Sequence, residues 1–129
     1  MIGSNAFNYI NVLDKAADAS WVRNEVISNN IANVNTPGYK RKDVQFESYL
    51  MSALRGDNSL DHRVANLRLD SLDATIYTDN ASLSYRLDGN NVDIDTESAT
   101  LAENQTRYYA LLDSMTQEFS RIKTVLTLR

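Results

Sequence analysis

No cysteine occurs in the 129 residues, and histidine, proline and tryptophan occur once each. Without cysteine there is no disulfide, no thiolate zinc site and no thiol nucleophile. The lone histidine, His62, lies in the polar stretch Asp61-His62-Arg63 and reads as exposed, so a histidine metal site or a Ser-His-Asp triad lacks its parts. No apolar run approaches the roughly 20 residues that span a bilayer. Met1-Ile2-Gly3-Ser4-Asn5 shows no basic region followed by an apolar one, so no cleavable secretory signal is visible, which by itself reads as cytoplasmic. Positive charge is also scarce: 13 Lys and Arg against 17 Asp and Glu leave a net charge of -4. That balance gives no electrostatic footprint for nucleic acid or for an anionic membrane. The one basic run, Lys40-Arg41-Lys42, reads as a solvated turn exit. The chain is one domain-sized unit at most.

What is present is helical periodicity at both ends. Residues 5 to 34 read as one helix of about 30 residues, about 45 Å long. One apolar stripe runs Ala6, Ile10, Leu13 and Ala17, then Ile27, Ile31 and Val34, in alternating steps of four and three; Ser20 and Asn24 interrupt it. A second stripe, Tyr9, Val12, Ala16, Ala19 and Val26, lies beside it, widened by Trp21 and Val22. One partner helix cannot cover both, so contact with more than one neighbour is expected. The other long helix is expected from Thr96 to Leu128. Its stripe, Leu101, Gln105, Tyr108, Leu112, Met115, Phe119, Ile122 and Leu126, keeps the alternation throughout. Glu103 with Arg107, and Glu118 with Arg121, support its outer face.

Between the helices the sequence changes in kind. Pro37 cannot continue a helix and biases Thr36 away from helical geometry, while Gly38 suits the positive φ of a type II turn, so the first helix stops sharply. Asn33 and Asn35 tolerate left-handed backbone and suit a helix C-terminus. Residues 42 to 55 read as a short helix on Val44, Phe46, Tyr49, Leu50 and Leu54, and residues 57 to 73 as a mobile or irregular surface segment. Residues 74–78 and 83–87 are rich in β-formers, with Asp79-Asn80 between them, and predict a hairpin. In Asp88-Gly89-Asn90-Asn91-Val92-Asp93 a calcium loop is the sharper alternative, but the order lacks the glycine and glutamate positions of an EF-hand. Asp93 and Asp95 instead suit a helix start. The expected fold is mainly α: an antiparallel coiled-coil pair of long terminal helices around a small irregular and β-hairpin insert. Its segments are 1–38, 39–92 and 93–129.

Two stretches carry a resemblance. Ser28-Asn29-Asn30-Ile31-Ala32-Asn33-Val34-Asn35-Thr36-Pro37-Gly38-Tyr39-Lys40 resembles the signature of bacterial flagellar axial proteins, the rod, hook and hook-associated proteins. Asp88 through Asp95, with Glu97, Leu101-Ala102-Glu103-Asn104, Tyr108 and Phe119, resembles the C-terminal pattern of the small proximal rod proteins of the FlgB type. The sibling FlgC type shares both motifs in altered form. The resemblance implies a structural subunit without catalytic residues, cofactor or metal, placed in the rod of the flagellar basal body. It implies export without a cleaved signal by the flagellar type III apparatus, assembly in the periplasm, and transmission of torque from the motor ring to the hook. The implied partners are further copies, other rod proteins, the motor (MS) ring and a rod-base adaptor, with no nucleic acid and no membrane span. The implied subunit-contact residues are Asn29, Asn30, Ile31, Asn33, Asn35, Thr36, Pro37, Gly38, Tyr39, Gly89, Asn90, Asn91 and Val92. The implied coiled-coil seam is Ile10, Leu13, Ala17, Ile27, Ile31, Leu101, Tyr108, Leu112, Met115, Phe119, Ile122 and Leu126. A free-standing helical binding module or export chaperone would use the same amphipathic helices with ordered ends. A hydrolase using Asp88, Asp93 or Asp95 would need a concave site.

Overall fold

The computed structural model describes residues 4–80 and 86–128. The elements are α1 (Ser4–Ala32), β1 (Lys42–Gln45), α2 (Glu47–Leu54), α3 (Leu60–Ala65), a 3-10 turn (Leu69–Ser71), β2 (Thr75–Thr78) and α4 (Ile94–Thr127). The long helices run antiparallel: Asn30 meets Glu97, Ser20 meets Asn104, Trp21 packs on Tyr108, and Asp14 and Ala17 face Leu112 and Met115. The middle of the chain lies on another face of α1, where Ala19 joins Phe46 and Leu72 in a small core. The two stripes of α1 therefore have two different covers, and both come from the same chain. Ala17 and Ser20 face α4, while Ala16 and Ala19 face the middle segment. Tyr9 extends this second contact by donating to Asp61 Oδ1 on α3 at 2.6 Å.

α1 stops as the residue types require. Its last turn tightens, with Asn33 N shared between the carbonyls of Asn29 and Asn30 and Val34 N donating to Ile31 O. Pro37 and Gly38 then form the middle of a turn closed by Tyr39 N to Thr36 O at 3.2 Å, and Gly38 has φ +73° as a type II turn demands. The asparagines do not take left-handed backbone; among the described residues only glycines have positive φ. Asn33 instead donates back to Asn29 O and accepts from Thr36 Oγ1.

The middle differs from expectation in two places and adds a strand pairing that local sequence did not announce. The helix expected over residues 42 to 55 is a strand and then a helix. Val44 and Phe46 are both buried, at a spacing of two, which is the period of a strand and not of a helix. Residues 57 to 73 are ordered by α3, whose N-cap Ser59 accepts from His62 N, and by the 3-10 turn. β2 pairs antiparallel with β1, Lys42 opposite Thr78 and Gln45 opposite Thr75. Residues 83–85 of the expected second hairpin strand lie outside the described residues, and Arg86 and Leu87 are in a bend and a turn. The ladder is extended by Asp79 N donating to Arg41 O, and an Arg41–Asp79 ion pair fixes its register.

The seam of the helix pair also departs from the apolar heptad. Ile10, Ala17 and Ile27 are buried, and Leu13, Ile31, Leu101, Tyr108, Met115 and Ile122 are partly buried, whereas Leu112, Phe119 and Leu126 are exposed. The buried residues of α4 are polar, Glu97 and Asn104. This intrachain contact is thus antiparallel but centred on polar groups, and the heptad stripe of α4 lies to its side. No helix among the described residues is long and apolar enough to cross a membrane.

Candidate assembly joint

The two sequence motifs, some fifty residues apart, fold into one clasp. Asn90 is fully buried and acts as the C-terminal cap that α1 does not supply for itself. Its Nδ2 donates to the carbonyls of Asn33 (2.8 Å), Val34 (3.1 Å) and Thr36 (2.9 Å), and its Oδ1 accepts from Val92 N at 2.8 Å. A helix end leaves carbonyls without intrahelical partners and carries partial negative charge. α1 has no basic residue in its last turn, and Arg86 provides one from a distance, its Nη1 reaching Val34 O at 2.6 Å.

Backbone pairing closes the clasp. Gly38 N donates to Asp88 O at 2.7 Å, and Asn91 N to Tyr39 O at 3.3 Å. Asn91 Oδ1 accepts from Arg41 N at 2.6 Å and its Nδ2 donates to Asp79 O, tying the second motif to both strands. Gly38 and Gly89, each with positive φ, sit together: a Cβ on Gly89 would lie 3.8 Å from Gly38 Cα. Lys40 Nζ bonds Gly89 O across this contact.

The other buried hub is Asn30. Its Oδ1 accepts from Lys42 N (2.9 Å) and from Tyr39 OH (3.1 Å), and its Nδ2 donates to Lys42 O (2.8 Å) and Glu97 Oε2 (3.1 Å). One amide thus reads a strand as a backbone partner would and also reaches the first turn of α4. Glu97, itself buried, takes Arg41 Nε on its other oxygen at 2.6 Å. Burial works against the Arg41 charge, but bonds to Glu97, Asp79 and Asp43 outweigh it and hold the guanidinium above its ordinary pKa. The run Lys40-Arg41-Lys42 is therefore not simply a solvated turn exit, because its central residue is the ionic centre of this clasp. Burial, and then Glu97, raise the Tyr39 phenol.

The acids at the start of α4 have ordinary structural work. Asp93 is the N-cap, accepting from Asp95 N (3.0 Å) and Thr96 N (3.4 Å), and these bonds, with that from the Thr96 hydroxyl, lower its pKa. Asp88 Oδ1 accepts from Asn90 N within its turn, and its Oδ2 pairs with Arg86. Glu47, half-exposed at the start of α2, is held below the carboxylate range first by its hydrogen bond from Arg23. Asp93, Asp88 and Glu47 thus each answer a backbone end or a cation of their own chain.

Residues 10–40 match the family model described as flagella basal body rod protein. Among curated proteins, the flagellar basal body rod protein FlgB of Bacillus subtilis is 38% identical over 117 residues, covering 89% of this chain and 90% of that protein. The chain belongs to the FlgB family of flagellar basal body rod proteins. FlgB of Borreliella burgdorferi is 32% identical, with coverage of 84% and 88%, and FlgB of Escherichia coli is 32% identical, with coverage of 81% and 82%. This FlgB-family chain is a structural subunit of the basal body rod, acting among other rod components.

Within this FlgB fold the expected contact residues divide into two sets. Asn30, Asn90 and Val92 are buried, and Ile31, Asn33, Tyr39, Gly89 and Asn91 are partly buried; Asn29, Asn35, Thr36, Pro37 and Gly38 are exposed. The residues that sequence reading missed are Arg41, Asp79, Arg86 and Glu97. Arg41 and Glu97 each sit beside a motif, in a basic run and a helix start whose ordinary reading is solvation. Only the approach of the two motifs removes that solvent.

Proposed function

We propose that the chain carries torque along the proximal rod, from the motor (MS) ring toward the hook, as a link whose terminal helices are completed by neighbouring subunits. The observation that supports this is the uncovered row of the α4 heptad: Leu112, Phe119 and Leu126, one heptad apart, are 37%, 52% and 64% exposed. Covering what remains of these side chains is worth on the order of 3 kcal/mol per subunit. Helices of further copies and of other rod proteins supply that cover in coiled-coil packing.

In this reading segments 1–38 and 93–129 are axial helices and 39–92 is a lateral insert. The exposed rim of the clasp, Asn29, Asn35, Thr36, Pro37 and Gly38, is the inter-subunit joint, and the buried amides hold its shape. The chain crosses the inner membrane by the type III apparatus without a cleaved signal and assembles in the periplasm, meeting a rod-base adaptor at its lower end. A chain without cysteine suits unfolded transit. The test is the double variant Phe119→Glu with Leu126→Glu. Both sites are exposed, so the isolated chain keeps its circular dichroism and melting temperature while rod incorporation and swimming are lost. A variant that builds rods and swims refutes the reading.

A further inference from the structure

Midway along the helix pair, α1 and α4 enclose an open groove of about 340 Å³ lined by Asp14, Asp18, Trp21, Tyr108, Leu112 and Met115. Its floor is apolar and its wall aromatic, with Trp21 tilted on Tyr108 at a centroid distance of 5.8 Å. Its rim is acidic. Asp14 and Asp18 are exposed, stand one helical turn apart, and make no hydrogen bond or ion pair with the described residues. The nearby cation, Lys15, is paired with Asp73.

The complementary surface lies at the far end of α4. Residues 119–128 carry Arg121 and Lys123 and no acid. Arg121 is paired with Glu118, which leaves Lys123 as the cation without a partner among the described residues. Phe119, Lys123 and Leu126 follow steps of four and three along one face, as do Asp14, Asp18 and Trp21. Both stripes thus combine charge with large apolar side chains, two acids before an aromatic on α1 and one cation between two apolar residues on α4.

Resting on the assembly reading above, we propose that this groove receives the end of α4 of a second copy, with Lys123 between Asp14 and Asp18 and Phe119 against Trp21. The incoming helix lies antiparallel to α1, as the chain's own α4 does. Within one chain this contact is out of reach. Asp18 sits level with Leu112, and Lys123 is about three turns farther along α4, about 16 Å away. A groove on one copy that takes the helix end of another is a head-to-tail contact, and such contacts propagate into open helical assemblies instead of closing into a pair.

Zero-length carbodiimide coupling of basal bodies carrying this chain, followed by peptide mass spectrometry, tests the contact. The expected products join Asp14 or Asp18 to Lys123. They disappear in Lys123→Gln and return in the exchanged pair Asp18→Lys with Lys123→Asp. Coupling of Asp14 or Asp18 to a lysine of a different rod protein overturns the proposal, as does a chain that is built into the rod with both carboxylates uncoupled. A chain absent from the rod altogether overturns the assembly reading and this contact with it.

Discussion

Replacing Asn90 separates the two tasks its amide performs. Asn90→Ala removes the donor that serves three α1 carbonyls and the acceptor that serves Val92 N. The carbonyls keep other partners: Thr36 N on Asn33 O, Arg86 on Val34 O, and Tyr39 N on Thr36 O. The Val92 N–H loses the acceptor it has here. Two amide protons and one acceptor at about 1 kcal/mol each come to about 3 kcal/mol. For a chain of this size that is a fall of about 10 °C in melting temperature. Asn90→Asp is the sharper variant. It retains the oxygen that accepts from Val92 N but turns a carboxylate toward three carbonyl oxygens at the negative end of α1, adding about 1 to 2 kcal/mol of repulsion. At neutral pH the aspartate variant is therefore less stable than the alanine variant. Its carboxyl has a folded pKa above the unfolded value of about 3.9. The deficit is thus relieved as pH falls through the folded pKa, is gone below the unfolded one, and returns as pH rises. Thermal unfolding followed by circular dichroism between pH 4 and 8 gives both answers. An aspartate variant equal to or better than alanine at pH 7 would mean that Asn90 serves only its own turn, and the capping argument would fall.

Three further outcomes follow from the same contacts. Glu97→Ala takes a partner from the partly buried Arg41 guanidinium and from the Asn30 amide and costs about 3 kcal/mol, Asp79 and Asp43 keeping part of the charge satisfied; a double-mutant cycle with Arg41→Gln and Glu97→Gln that proves additive would contradict direct coupling. Gly38→Ala meets open space, so only its φ of +73° is strained, at about 1 to 2 kcal/mol, and Gly38→Asn recovers part of that in a denaturant melt. Asp93 and Glu47 are both held below their ordinary pKa values, so the stability they add is present above about pH 4 and lost as pH falls through their folded values. In an acid titration read at 222 nm, Asp93→Asn with Glu47→Gln has a flatter acid limb than the parent, and an unchanged limb would rule out these two groups.

Local rules made the long elements legible in the sequence. Heptad spacing located both helices to within about two residues, because an amphipathic rod advertises its period over many turns. Pro37 and Gly38 marked the stop of α1, and Asp93 the start of α4, through backbone chemistry that needs no distant partner. The middle was misread where two periods overlap: Val44 lies in β1 and Phe46 just after it, at the N-cap of α2, but Tyr49, Leu50 and Leu54 pulled the whole stretch toward a helix. β2 pairs with β1, a partner far back in the chain that local turn residues do not announce, and the Arg41–Asp79 ion pair lies at the end of that ladder.

The signature residues by themselves determined the family and the sharp turn. What only the tertiary structure decided is which of them face inward. Asn30 and Asn90 have the composition of solvated loop residues, and nothing local distinguishes them from Asn29 and Asn35. Their burial follows from bringing residues 29–43 and 86–97 together, where two side-chain amides stand in for backbone partners that the end of α1 and the start of β1 lack. Glu97 becomes buried, paired with the partly buried Arg41, for the same reason. A charge is read as solvated until a distant part of the chain displaces its water, and that displacement is a property of the fold as a whole.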